Sequence, residues 1–217
     1  MITTLLFSLL TLDQTLANFV AQYGTWVYAL LFVVIFIETG LVIFPFLPGD
    51  SLLFIAGTLA ATTELDVHIL VALLAMAAIL GDSANYAIGR KVGKRVYTWK
   101  DSRWYKRAYL ERTQHFYEKY GNMTIIIARF VPIVRTFAPF LAGVVTMPYP
   151  RFLAYNITGG VMWICALTYL GYFFGNIPFI KNNLSFFVIG IVIISAIPIA
   201  VTFFKERAAV RKQESGS

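Results

Sequence analysis

The sequence predicts an all-helical integral membrane protein: about four spanning helices plus two re-entrant hairpins arranged as an inverted repeat, with amphipathic interfacial helices. Three observations predict it. Of 217 residues 59% are hydrophobic and only 13% charged, whereas soluble domains carry roughly 45–50% and about 25%. Long apolar runs recur, two of them broken by proline and glycine. Segment 90–120 holds ten Lys/Arg against three acids, which is the whole net charge of +7. A basic cluster between apolar runs marks a cytoplasmic segment rather than a nucleic-acid footprint.

Residues 1–22 mix apolar side chains with Asp13, Gln14 and Asn18 and read as a short interfacial helix. The membrane domain follows over 23–204. Its first half, 23–89, opens with a spanning run from Trp26 to Phe44 that contains one charge, Glu38. Pro45, Pro48 and Gly49 then stop the helix, and the apolar piece after them is too short to span. Residues 38–63 therefore read as a re-entrant hairpin. Residues 62–68 form a short loop without Lys or Arg, and 69–89 is a spanning helix.

The basic segment 90–120, studded with Trp99, Trp104, Tyr105, Tyr109, Phe116 and Tyr117, should lie along the cytoplasmic leaflet. In the second half, 121–204, Arg129, Pro132, Arg135, Pro139 and Gly143 fall within a second re-entrant hairpin over 124–147. Residues 151–175 and 183–204 are spanning helices, and 205–217 is a cytoplasmic tail. This arrangement keeps fourteen Lys/Arg inside against Lys181 outside, with both termini cytoplasmic.

The halves resemble each other at a constant offset of 86 residues: Gly57 with Gly143, Tyr86 with Tyr172, Gly89 with Gly175. Inverted repeats with broken helices are a recurrent transporter architecture whose site lies where the halves meet.

Glu38, Asp50, Arg129 and Arg135 are the charges at membrane depth. Unpaired, four such charges would cost on the order of 10 kcal/mol, as much as a domain's whole stability. They must pair or face water, so the hairpins should meet face to face. Arginine's planar fork suits phosphate, and a carboxyl group in a low-dielectric cavity can exchange protons near neutral pH. Two structural ion pairs are the plainer alternative. Asp82 and Tyr86, with Asn85 between them, share a helical face and support the site or merely pack. His68 and His115 stand apart and read as solvated, Trp163 reads as packing, and Cys165 is the only cysteine, so neither a metal site nor a disulfide is expected. No nucleophile elbow, phosphate-cradling loop or HExxH is present, which argues against an enzyme.

Glu38-Thr-Gly, Phe44-Pro-Phe-Leu-Pro-Gly-Asp50-Ser51, Gly81-Asp82-x-x-x-Tyr86-x-x-Gly89-Arg90, Arg129-Phe-x-Pro132-x-x-Arg135-x-x-x-Pro139-x-x-Ala142-Gly143 and Asn156 resemble the bacterial DedA family, of the SNARE-associated or VTT type, over about residues 20–204. The resemblance implies a multi-pass inner-membrane protein with two re-entrant hairpins. It implies transport driven by the proton motive force, envelope integrity, and movement of undecaprenyl phosphate or phospholipids. It also implies dependence on an acidic pair and an arginine pair that match Glu38, Asp50, Arg129 and Arg135. The expected function is a lipid flippase in which the arginines hold a phosphate head group and the acids carry protons or sodium ions, with Asp82, Tyr86 and Asn156 in support and Pro45, Pro48, Gly49, Pro132, Pro139 and Gly143 shaping the hairpins. No cofactor is expected, and a homo-oligomer is allowed. The alternative is a proton-coupled cation antiporter with indirect lipid effects.

Overall fold

A computed structural model describes residues 23–41, 49–98 and 107–181, and every regular element among them is helical. These are α1 (Thr25–Gly40), α2 (Gly49–Thr62), α3 (Val67–Val92), α4 (Arg107–Tyr120), α5 (Thr124–Ile127), α6 (Pro132–Val144), α7 (Tyr149–Gly175) and α8 (Pro178–Lys181). Tighter 3-10 turns cover Gly93–Thr98, Gly121–Met123 and Ala128–Phe130. The expected interfacial helix at 1–22, Pro45 and Pro48, the span at 183–204 and the tail at 205–217 lie outside the described residues.

Among the described residues two helices, α3 with 26 residues and α7 with 27, are long and apolar enough to cross a membrane. At about 1.5 Å per residue each reaches roughly 40 Å, against a hydrocarbon core of about 30 Å. α3 begins earlier and ends later than the expected 69–89. The Asp66 carboxylate accepts from the His68 and Ile69 N–H groups at 2.7 and 3.1 Å and caps its start. Gly93, at φ +58°, ends it. α3 and α7 run antiparallel: His68 Nδ1 meets the Tyr169 hydroxyl at 2.7 Å at one end, and the Tyr149 hydroxyl approaches Ser83 Oγ at 3.4 Å toward the other.

The three remaining apolar helices, α1, α2 and α6, have 16, 14 and 13 residues. α1 departs from expectation. A spanning run from Trp26 through Phe44 should travel opposite to α3. Instead α1 stops at Gly40, where Leu41 turns extended, and it travels in the same direction as α3. Tyr28 accepts from the Asp66 N–H at 2.7 Å while Gly40 packs against Gly81, so α1 starts where α3 starts and ends halfway along it. α2 then runs back along α7, with Gly57 against Thr168 and Phe54 against Gly171.

Close helix contact rests on glycine. A Cβ at Gly57 of α2 would collide with the Thr168 carbonyl of α7, and one at Gly171 with the Phe54 carbonyl of α2. A Cβ at Gly143 of α6 would collide with the Tyr86 carbonyl of α3, and one at Gly89 with the Phe140 carbonyl of α6. Thus the short helix of each half packs in parallel on the long helix of the other half. Small residues permit such approach where no hydrophobic force separates helix from lipid. α4 is amphipathic as expected from the basic segment: Leu110 is buried in a cluster with Phe137, Leu141 and Val144 of α6, and its Glu111 and Arg112 face outward.

Gly57→Leu and Gly143→Leu each push against backbone that cannot yield. Each is expected to destabilise by about 1–3 kcal/mol or more, read as a lowered melting temperature in detergent. The cap gives a pH test. The Ile69 and His68 N–H groups hold the Asp66 carboxyl below its ordinary value of 3.8, so its stabilisation is present above that pH and disappears as pH falls through the lowered value. Asp66→Ala should melt lower than the parent at neutral pH, and the gap should close on acidification below pH 3.8. A gap that persists in acid would contradict the capping role.

Candidate functional site

The ends of the short helices converge halfway along α3 and α7. Glu38 lies in the last turn of α1 and Asp50 in the first turn of α2. Arg129 lies in the turn Ala128–Phe130, after which Val131 adopts an extended conformation and Pro132 starts α6 at its first turn. Proline there has no N–H to lose. Arg135 follows in the opening of α6. A cation at a helix N-terminus opposes the helix dipole, so Arg135 needs nearby negative charge.

It has two sources. Arg135 splits its fork: Nη2 donates to Glu38 Oε1 at 2.8 Å and Nη1 to Asp50 Oδ1 at 2.7 Å. Glu38 is only 2% exposed, whereas the Asp50 side chain is 52% exposed. The Glu38 Oε2 atom is buried without a partner and lies against Gly49, where any side chain would collide with the carboxylate.

Arg129 forms a second, closed cluster. Its Nη2 donates to Asp82 Oδ2 of α3 and, at 2.6 Å, to Asn156 Oδ1 of α7. Asn156 in turn donates to the Ile79 carbonyl at 3.1 Å. Gly159 and Gly160 leave room for the guanidinium, and Arg129 Nε is buried without a partner. Trp163 joins the clusters. Its indole N–H donates to Asp50 Oδ1 at 3.0 Å, and its ring lies 4.9 Å from the Arg135 guanidinium and 5.8 Å from that of Arg129.

Three of the four expected charges therefore meet, Glu38, Asp50 and Arg135, while Arg129 lies across Trp163 in a separate cluster, and the pairing differs from two hairpin acids facing two hairpin arginines. Arg135 takes both hairpin acids, because both lie at helix ends beside the start of α6. Arg129 takes Asp82, which is buried rather than part of an interfacial polar face. Of the supporting residues, Asn156 touches Arg129, whereas Tyr86 donates to the Met147 carbonyl and holds the start of α7. Asn85 donates to the Thr39 and Thr136 carbonyls at 3.2 and 2.9 Å, tying α1, α3 and α6 together. Pro139 lies inside α6, and Gly143 serves close packing.

Trp163 is the member of the candidate site that the sequence did not reveal. Asn156, Gly159, Gly160 and Trp163 follow i, i+3, i+4, i+7 spacing, so a face of polar and small residues ending in a tryptophan was the available signal.

Leaving one member of a buried pair costs more than removing both. Arg129→Met strands Asp82 and is expected to cost about 3–5 kcal/mol, while Arg129→Met with Asp82→Leu should recover much of it. Thermal unfolding in detergent measures both. A double variant no more stable than the single one would show that the cluster does not act as a pair.

The chain matches the VTT domain over residues 47–173. It is 52% identical to "Protein DedA" of Escherichia coli K12 over 94% of both chains. It is 37% identical to "Inner membrane protein YqjA" of the same strain over 76% of this chain and 74% of the other. It is 36% identical to "Inner membrane protein YghB" over 72% of both chains. No solved structure matches it.

Proposed function

The chain belongs to the DedA family of VTT-domain membrane proteins, and from that premise we propose that it carries a phosphate-bearing lipid across the bacterial inner membrane, coupled to protons. The observation that carries the reading is the divided fork of Arg135, held by one buried and one half-exposed carboxylate at the meeting point of short helices. A guanidinium so placed can hold phosphate oxygens in the same two-point geometry once the carboxylates let go. A proton arriving through exposed Asp50, or reaching Glu38, weakens their hold. Proton binding and phosphate binding then favour the same rearrangement.

The helix directions support the membrane arrangement this requires. α1 and α2 form one re-entrant hairpin from the side of the Asp66 loop, and residues 121–144 form the other from the side of Arg90. Each return arm rests on the other half's spanning helix, as an inverted repeat would produce. The extended backbone at Val131, between the arms of the second hairpin, is tolerated at depth where protein buries it or water reaches it. The substrate class fits undecaprenyl phosphate or an anionic phospholipid, and the reading needs no catalytic step.

A second reading has its own observation. Among the described residues the two clusters hold three carboxylates against two guanidiniums. The excess carboxylate suits a proton-coupled cation antiporter, in which Arg135 would be a replaceable counter-ion.

Translocation of a short-chain polyprenyl phosphate in proteoliposomes, with and without a pH gradient, separates the two. The parent protein should flip the lipid faster with the gradient. Arg135→Ala and Glu38→Gln should fall to the protein-free rate while still inserting. Normal flipping by Arg135→Ala would remove the phosphate role. Sodium or potassium exchange without lipid flipping would favour the antiporter.

A further inference from the structure

A groove of about 450 Å³ lies outside the charge clusters, between the last turns of α3 and the start of α7. Ser83, Tyr86, Ala87, Arg90, Lys91 and Tyr149 line it. Its size falls in the range of small-ligand sites. Its only charges are the two cations, both exposed, and among the described residues neither forms an ion pair. Part of their presence is explained without a ligand, since cations at a helix C-terminus complement the dipole and mark the cytoplasmic side. That account gives no reason for a concave surface.

Three further features surround the cations. α7, a 27-residue helix, starts here with no side-chain cap, so its positive pole faces the same region. The Tyr149 hydroxyl, loosely placed 3.4 Å from Ser83 Oγ, can turn toward a bound oxygen. Below Ala87 and Ser83, the same face of α3 continues as exposed Leu80 and Met76, 47% and 49% accessible. Met76, Leu80, Ser83, Ala87 and Lys91 follow one helical stripe. A cationic cup thus opens onto an apolar track that runs toward membrane depth.

We infer that this groove docks an anionic phospholipid of the cytoplasmic leaflet, with its phosphate between Arg90, Lys91 and Tyr149 and an acyl chain along Leu80 and Met76. The apolar track selects a lipid over free phosphate. The location suits loading: Tyr86 floors the groove and sits one helical turn from Asp82, the partner of Arg129. That role as a loading site rests on the transport reading; the docking itself does not.

The test is native mass spectrometry of the detergent-purified full chain with phosphatidylglycerol, with phosphatidylcholine of the same chains, and with inorganic phosphate. Phosphatidylglycerol should be retained preferentially. Arg90→Gln with Lys91→Gln should weaken its retention about tenfold or more. Ala87→Phe keeps both charges, and with them the topology signal, yet fills the groove, and should weaken retention too. Equal retention of phosphatidylcholine, or unchanged retention in both groove variants, would overturn the docking site. Displacement of the lipid by millimolar inorganic phosphate would overturn the lipid as occupant. A chain that docks phosphatidylglycerol through this groove but flips no lipid would overturn the transport reading alone. Undiminished flipping by groove variants that have lost docking would overturn the loading role.

Discussion

Charges at membrane depth must be matched, and the ends of α1, α2 and α6 meet where that constraint is satisfied. Arg135 is the centre of it. Its position at the start of α6 places a cation at the wrong pole of a helix, and Glu38 and Asp50 compensate from the ends of two other helices. Those three helix ends must therefore lie at one depth. That requirement explains why α1, α2 and α6 are too short to cross, and why, among the described residues, α3 and α7 provide the long frame.

The frame is held by shape more than by hydrophobic force. Lipid tails are as apolar as leucine, so helices associate through close packing and internal hydrogen bonds. Gly57, Gly89, Gly143 and Gly171 let main chains touch at the two crossed contacts, α2 on α7 and α6 on α3. Asn85 and Tyr86 add bonds to the Thr39, Thr136 and Met147 carbonyls. Because each half is clamped to the other, a displacement of one short helix must move both a long helix and the charges at its own end.

The sequence revealed the parts that carry local signals. A lone Glu38 or Arg135 in an apolar run is conspicuous whatever its neighbours, whereas the 86-residue offset marked Gly57, Gly89 and Gly143 only as a repeat, and their close helix contacts come from the packing. Three features were hidden because they depend on direction and partner choice. The 19 residues from Trp26 to Phe44, apolar apart from Glu38, Thr39 and Gly40, look long enough to span, yet the helix ends at Gly40 and runs alongside α3. Composition gives no direction to a helix whose Lys and Arg are absent. The pairing of Arg129 with Asp82 was equally hidden, since it needs α3 to pass the turn Ala128–Phe130. Trp163 looked like packing because a tryptophan between apolar residues usually is; only its neighbours show that its N–H is committed to Asp50.

The two arginines, alike in sequence, are unlike in setting, and this asymmetry shapes any transport cycle. Arg129 is closed in by Asp82, Asn156, Gly159 and Gly160, all from the long helices α3 and α7. Releasing it would strand a buried acid in the frame itself. Arg135 instead holds two carboxylates on separate short helices, one of them half open to its surroundings. If one of these charges changes partner, Arg135 can do so with less loss, because water or a substrate oxygen can take the vacated position at Asp50. Trp163, lying against both guanidiniums, would feel that exchange directly. In the transport reading, Arg129 is the fixed anchor and Arg135 the exchanging one, so the conformational change belongs to the short helices rather than to the frame.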